Sequence, residues 1–355
     1  MHRSSSTELL IVSDQIEKHF NSFKLLKEHL KIYWDSQMSD YLGQFNQTDF
    51  CNCSGENFCF EGLNESGEVR SGFPFDCSLY NNLKALQLLD LDAAKAQLDY
   101  KQMVADDKWS PVFIKEVNTW CLVEYRRFDF SKYPSHVKKL MNYAFKLSII
   151  EAFKKYKTFF YFDTSVRIEG RNLSAFLHGV QNDVLLPFST HTWTGHSVYA
   201  TTHPSNKTKM YVYFPLPLVI SQMEEIQSTA QFISDSPYTR YILKWWYLCA
   251  LTEKCIDPLG GQVDCKTTHH YDRYRTYMNC HRYDQSFWNI MALTYLFGSE
   301  RGAVRLNYTK EWERLDESLI IKVEQRRKQS MQSFFDLISI RRNDGMNSQL
   351  NLKCQ

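Results

Sequence analysis

The chain predicts an α/β fold: a mostly parallel sheet flanked by helices, preceded by a helical and Cys-rich N-terminal extension. Three observations carry this reading. The span 117–162 runs strand, helix, strand, the order of a right-handed βαβ unit. Its last strand, Phe159-Phe160-Tyr161-Phe162, has no polar alternation beyond Tyr161, as a central strand covered on both faces would, and it ends in an acid, Asp163. Far downstream, Asp284-Gln285 opens a further helical pattern and brings a second acid to the rim of the same sheet. The 355 residues accommodate one large α/β domain with an N-terminal extension, or two smaller domains. The expected division is a helical, Cys-rich, stem-like extension over 1–110, the α/β domain over 111–305 and a charged helical tail over 306–355.

Residues 8–45 read as helical, with Ile16, Phe20, Phe23, Leu26 and Leu30 at helix spacing among Lys and Glu. Residues 46–80, rich in Asn, Gly, Ser and Cys, read as a disulfide-pinned loop region. Residues 83–103 favour a helix with Leu86, Leu89, Ala93 and Leu98 inward, and 117–125 a strand. Pro134 breaks the chain, and Ser135 caps a helix over 136–156 with Val137, Leu140, Met141, Ala144, Leu147 and Ile150 on one face. After the 158–162 strand, residues 185–220 read as loops with short strands. Ser236-Pro237 starts a helix to about 255 that Pro258-Leu259-Gly260-Gly261 ends, and Asp284 starts one to about 297 that Gly298 stops. The tail over 310–342 reads as a charged helix with a solvated face.

Composition narrows the function classes. A net charge of +2 leaves no bulk attraction to nucleic acid, and no nucleic-acid partner is expected. Eight of the ten cysteines fall into two groups, Cys51, Cys53, Cys59, Cys77 and Cys249, Cys255, Cys265, Cys280. Neither contains Cys-x-x-Cys, so disulfides are favoured over zinc, with three pairings open in each group. Asn46, Asn52, Asn64, Asn172, Asn206 and Asn307 each begin an Asn-x-Ser/Thr triplet. Together these favour the secretory pathway, in the Golgi lumen or at its membrane. The first 40 residues hold no apolar stretch long enough for a signal or an anchor. Membrane association is therefore expected only through an N-terminal anchor missing from this chain.

The candidate site starts from Asp163, at the carboxyl end of its strand, where an acid faces ligand rather than core. There it can reach a divalent ion bridging two phosphates, or ribose hydroxyls; the competing role is a turn or cap. Thr164 and Ser165 add hydroxyls, and Arg167 reaches phosphate or pairs with Asp163. Asp284 contacts the acceptor hydroxyl or the transferred sugar, or serves as an ordinary N-cap, with Gln285 and Asn289 shaping the pocket. His281 and Arg282 add cationic character suited to a diphosphate. His191, His196 and His203 match no zinc signature at spacings of five and seven, and Trp193 among them suits sugar stacking. Lys146 is expected to face solvent. The chain has no P-loop, no Gly-x-Gly-x-x-Gly and no Gly-x-Ser-x-Gly, which removes support for NTPases, Rossmann dehydrogenases and α/β-hydrolases.

Several blocks carry a resemblance across about 117–300: Phe128-Asp129-Phe130-Ser131-Lys132-Tyr133-Pro134, Tyr161-Phe162-Asp163-Thr164-Ser165-Val166-Arg167, Gly195-His196-Ser197-Val198-Tyr199, Lys244-Trp245-Trp246 and His281-Arg282-Tyr283-Asp284-Gln285-Ser286. In these the chain resembles a nematode-expanded family of type II membrane proteins with glycosyltransferase-like domains and no assigned activity. The resemblance implies a GT-A-like fold, in which an Asp-x-Asp motif ends a strand and holds the metal of a nucleotide sugar. Asp163 matches the first acid of that motif and is the metal ligand for Mn or Mg; Ser165 stands where the second acid would be. Asp284 and Gln285 are similar to a late Asp-Gln pair bordering the acceptor site. The expected roles are catalysis by Asp284 and Gln285, donor binding by Asp163, Ser165, Arg167, His196 and Arg282, and acceptor binding by Trp193 and Asn289. The activity implied is transfer of a hexose from a nucleotide sugar to a glycan or glycoprotein hydroxyl. The alternatives are a non-catalytic secreted binding protein of the same fold and a metallohydrolase built on the histidines.

Overall fold

The computed structural model describes residues 50–64, 69–90, 102–104, 123–156, 159–163, 166–168, 188–189, 193–202, 210–233, 235, 237–266, 272–300 and 340–342. The helix expected over 8–45 lies outside them, as does all of the expected tail except 340–342.

The architecture corrects the sequence expectation. Among the described residues there is no extended parallel sheet; the fold mixes helices with short, mostly antiparallel strand pairs. The strand Phe159–Phe162 is present, but it pairs antiparallel with Ala230–Ile233, which pairs antiparallel with Phe188–Ser189 on its other edge. The one parallel ladder among the described residues joins Gln102–Val104 to Val123–Tyr125, and neither of these strands pairs with 159–162. The expected βαβ unit is therefore absent among the described residues. Its apolar run was a poor guide because a short strand with rings on both faces does not need a parallel sheet. Phe160 and Phe162 stack on one face, Phe160 lies 4.8 Å from Phe232 across the ladder, and Tyr161 leaves the other face.

The crossover helix expected over 136–156 breaks as well. Ser135–Lys138, Leu140–Asn142 and Ala144–Leu147 are separate 3-10 turns, and only Ser148–Tyr156 is α-helical. Tyr143, at φ 57°, sits in the left-handed region and resets the helical phase. Met141, expected inward, is 62% exposed as a result. The helix expected over 83–103 is also short. It spans Tyr80–Ala85, is followed by Gln87 at φ 58°, and 102–104 is strand. Ile340–Arg342, expected in a helical tail, is a strand paired antiparallel with Val166–Ile168.

Two long helices form the centre. Pro237–Leu251 buries Ile242, Leu243, Trp245, Trp246, Leu248 and Cys249 almost all round, as a core helix does, and the chain leaves it at Thr252 before the helical turn Glu253–Ile256. Asp284–Glu300 packs alongside, with Phe287 at 5.1 Å and Trp288 at 5.2 Å from Trp246. The Cys-rich segment joins this core rather than standing off it: Phe60 meets Phe214 at 5.1 Å and Trp245 at 5.4 Å.

Disulfides form within both cysteine groups: Cys51–Cys59, Cys53–Cys77, Cys249–Cys255 and Cys265–Cys280. Cys53–Cys77 closes the longest of these loops, at a sequence separation of 24, so it constrains the unfolded chain most. The double variant Cys53→Ser/Cys77→Ser is predicted to lose about 3 kcal/mol in denaturant unfolding. Cys249→Ser/Cys255→Ser, closing only 6, should lose less, and equal losses would refute the loop-length account.

Candidate functional site

The two acids singled out in the sequence meet on one ammonium. Lys146 Nζ lies 2.7 Å from Asp284 Oδ2 and 3.1 Å from Asp163 Oδ1, and donates to the Ser228 carbonyl at 3.3 Å. Rings of Tyr143 and Tyr161 flank it, with centroids at 5.3 Å and 5.4 Å. Lys146, expected at the surface, has only 2% of its side chain exposed. The left-handed turn at Tyr143 accounts for the error, because a continuous helix would place Lys146 on the other side from its apolar stripe.

Each carboxylate is held through a single oxygen. Asp284 Oδ2 accepts from Lys146 and from the Ser228 hydroxyl at 2.6 Å. Asp163 Oδ1 accepts from the Tyr161 hydroxyl at 3.2 Å as well as from Lys146. Asp163 is the more open of the two, its side chain 24% exposed against 4% for Asp284. Its position is set by the ladder, since its N–H donates to the Thr229 carbonyl at 2.8 Å just beyond the last strand pair.

The electrostatics follow from burial. Burial pulls the Lys146 ammonium down, but Asp284, Asp163 and Tyr161 outweigh it and hold the group well above the usual lysine range. Burial drives the Asp284 carboxyl up, against the opposing pull of Lys146 and Ser228. The Tyr161 phenol is also raised by burial and stays a donor.

The remaining candidates form a second group. His196 Nδ1 approaches Thr194 Oγ1 at 3.0 Å and Glu225 Oε2 at 3.3 Å. Burial, helped by nearby Arg282, pushes this imidazole down to about 4, so at neutral pH the approach to Glu225 is not a salt bridge. Arg282 is half-buried; its N–H donates to the Thr201 carbonyl at 3.0 Å, and its Nε has no hydrogen-bond partner among the described residues. His281 is buried edge-on to Tyr283 at 4.8 Å. Asn289 is a bracket: Oδ1 accepts from the Ile226 N–H, while Nδ2 donates to the carbonyls of Ile226 and Gln285. Gln285 is partly exposed beside it. Trp193 stands opposite Ile226, and Arg167 opposite Arg341, in their strand registers. Ser165, His191 and His203 lie outside the described residues.

One segment that sequence reading passed over ties these groups together. Glu224–Ile226 pairs with Trp193–Ser197, Ser228 holds Asp284, Thr229 holds Asp163, and Ala230–Ile233 pairs with Phe159–Phe162. No local pattern marks Ser228 or Thr229, because their roles arise only from partners distant in the chain.

The acids do not fit the expected Mn or Mg. The Lys146 ammonium stands between them and takes an oxygen of each, the position a bridging cation would need. Among the described residues no group of three His, Cys, Asp or Glu side chains is placed to hold a metal ion. No described helix is long and apolar enough to cross a membrane.

No protein-family model matches the chain, and neither a curated protein nor a solved structure matches it significantly.

Proposed function

We propose that the chain acts on sugars in the secretory pathway, transferring a hexose from a nucleotide sugar to a hydroxyl of a glycan or glycoprotein. The observation that carries this reading is the convergence of Asp163 and Asp284 on Lys146, residues far apart in the chain. The carboxylates on either side of the lysine each leave one oxygen outside these bonds, and acceptors placed side by side complement the hydroxyls of a polyhydroxylated ring. The disulfides fit an oxidising compartment.

In the proposed chemistry Asp163 replaces Asp284 as the base. Its exposure gives it access to ligand, whereas Asp284 is buried and its carboxyl raised by that burial. The acceptor hydroxyl gives its proton to the Asp163 carboxylate as its oxygen bonds to the sugar's anomeric carbon. The bond to the diphosphate breaks, and the nucleoside diphosphate leaves with the electron pair. Lys146 orients both carboxylates, and no step passes through a metal.

The predicted result is that Asp163→Asn lowers donor-sugar turnover about a hundredfold while leaving the thermal shift caused by the donor in place. Unchanged turnover would remove Asp163 from the mechanism.

A second reading, a sugar-binding protein without transfer, is favoured by the charge of the cluster. One lysine against two aspartates does little to neutralise a leaving diphosphate. It predicts stabilisation by sugars with no turnover of any nucleotide sugar.

A further inference from the structure

Of the Asn-x-Ser/Thr triplets in the sequence, two have their asparagine among the described residues: Asn64, which is half-buried, and Asn52, which is exposed. Asn52–Cys53 pairs antiparallel with Glu56–Asn57 through a two-residue turn. Ser54 at φ 56° and Gly55 at φ 91° both lie in the left-handed region, as this tight hairpin turn requires. Successive strand residues project to opposite faces. The hairpin therefore turns Cys53 inward, 3% exposed and bonded to Cys77, and Asn52 outward. Asn52 Oδ1 accepts from the Gly55 N–H at 2.8 Å, which fixes the amide at the tip, while its Nδ2 makes no hydrogen bond among the described residues. Ser54 and Gly55 are exposed too, and a Cβ on Gly55 would meet nothing within 4 Å. A bulky group on Asn52 thus has room at the tip, while the inward face of the hairpin stays with the core.

We infer that Asn52 is an acceptor of N-linked oligosaccharide, with the Ser54 hydroxyl completing its triplet. The inference takes from the reading above only the secretory compartment, not the hexose transfer. In the step, Asn52 Nδ2 bonds to the anomeric carbon of an oligosaccharide carried on a lipid diphosphate. The bond from that carbon to the diphosphate oxygen breaks, and the lipid diphosphate leaves with the electron pair. Nδ2 gives one proton to a base of the transferring enzyme, the oligosaccharyltransferase of the compartment. The folded hairpin then carries the sugar into solvent, away from the Cys53–Cys77 bond.

The test expresses the full chain behind a cleavable secretion signal in animal cells. Treatment with an N-glycosidase in heavy-oxygen water converts each glycosylated asparagine to a labelled aspartate, which peptide mass spectrometry locates. Label is expected at Asn52 on the majority of secreted molecules. Two variants each remove one requirement and keep the turn. Asn52→Asp retains the acceptor for the Gly55 N–H, and Ser54→Gly suits the left-handed backbone. Both should be secreted, melt like the natural chain and lack one glycan, and Ser54→Gly should show no label at Asn52. An unlabelled Asn52 in natural chain whose other triplets are labelled would overturn the site and leave the secretory placement standing. Label retained at Asn52 in Ser54→Gly would overturn the triplet as its cause. Label at none of the triplets would overturn the placement and the site together.

Discussion

Lys146→Met is expected to lose about 3–5 kcal/mol of unfolding free energy, the cost of leaving a buried charge without its partner. Asp284 has 4% of its side chain exposed, and among the described residues its cationic contact comes from Lys146 alone, so no water-facing group compensates. The loss should depend on pH. Burial already raises the folded-state Asp284 carboxyl above its ordinary value, and removal of the ammonium raises it further. A group with a raised folded value contributes stability that is present at low pH and lost as pH rises through that folded value. The variant should therefore lie closer to the natural chain near pH 4 than at pH 7. Adding Asp284→Asn should recover part of the loss at pH 7, since the amide carries no charge to strand. Denaturant unfolding of the single and double variants at both pH values checks this; a loss that is small and flat with pH would mean that the cluster is open to water.

Gly72→Ala should be comparably damaging, at about 4 kcal/mol or more, for a reason of space alone. A Cβ there would stand 1.9 Å from the Tyr213 carbonyl oxygen, and one at Gly62 would stand 2.0 Å from that of Pro215. Both obstacles are backbone, which cannot swing aside as a side chain can. The hairpin of Cys59–Leu63 and Val69–Pro74 is held against this stretch by the Leu63 N–H to Pro215 carbonyl bond at 3.2 Å and by Phe75 against Tyr213 at 4.9 Å. Moving the hairpin away would break both and open the aromatic core at Phe60 and Phe214. Gly55→Ala is the control. Its Cβ would meet nothing within 4 Å, and its cost is the conformational one of a φ of +91°, about 1 kcal/mol. Equal effects at Gly72 and Gly55 would refute the close-packing account.

Some of the site was legible before any coordinates. Asp163 and Asp284 stood out because each follows a clear local signal, an apolar run ending in acid and an acid opening a helix, and they do meet. Lys146, which joins them, was misplaced because its phase was read through a helix that Tyr143 interrupts. Asn289 lay in the marked block, but its bracketing of Ile226 is a tertiary fact: the amide replaces a ladder partner for a backbone that is remote in sequence.

Local chemistry in the chain was enough to determine the grouping of cysteines into two bonded sets, the two core helices opened by Pro237 and Asp284, and the strand that ends at Asp163. These depend on residues near one another, where spacing and capping decide the outcome. Which strand that strand pairs with, and in which direction, was decided by the tertiary structure. Four apolar residues satisfy a parallel or an antiparallel neighbour equally well, and only the packing of Ala230–Ile233 against them, with Phe232 meeting Phe160 on one face and Gln231 facing Tyr161 on the other, selects the antiparallel arrangement.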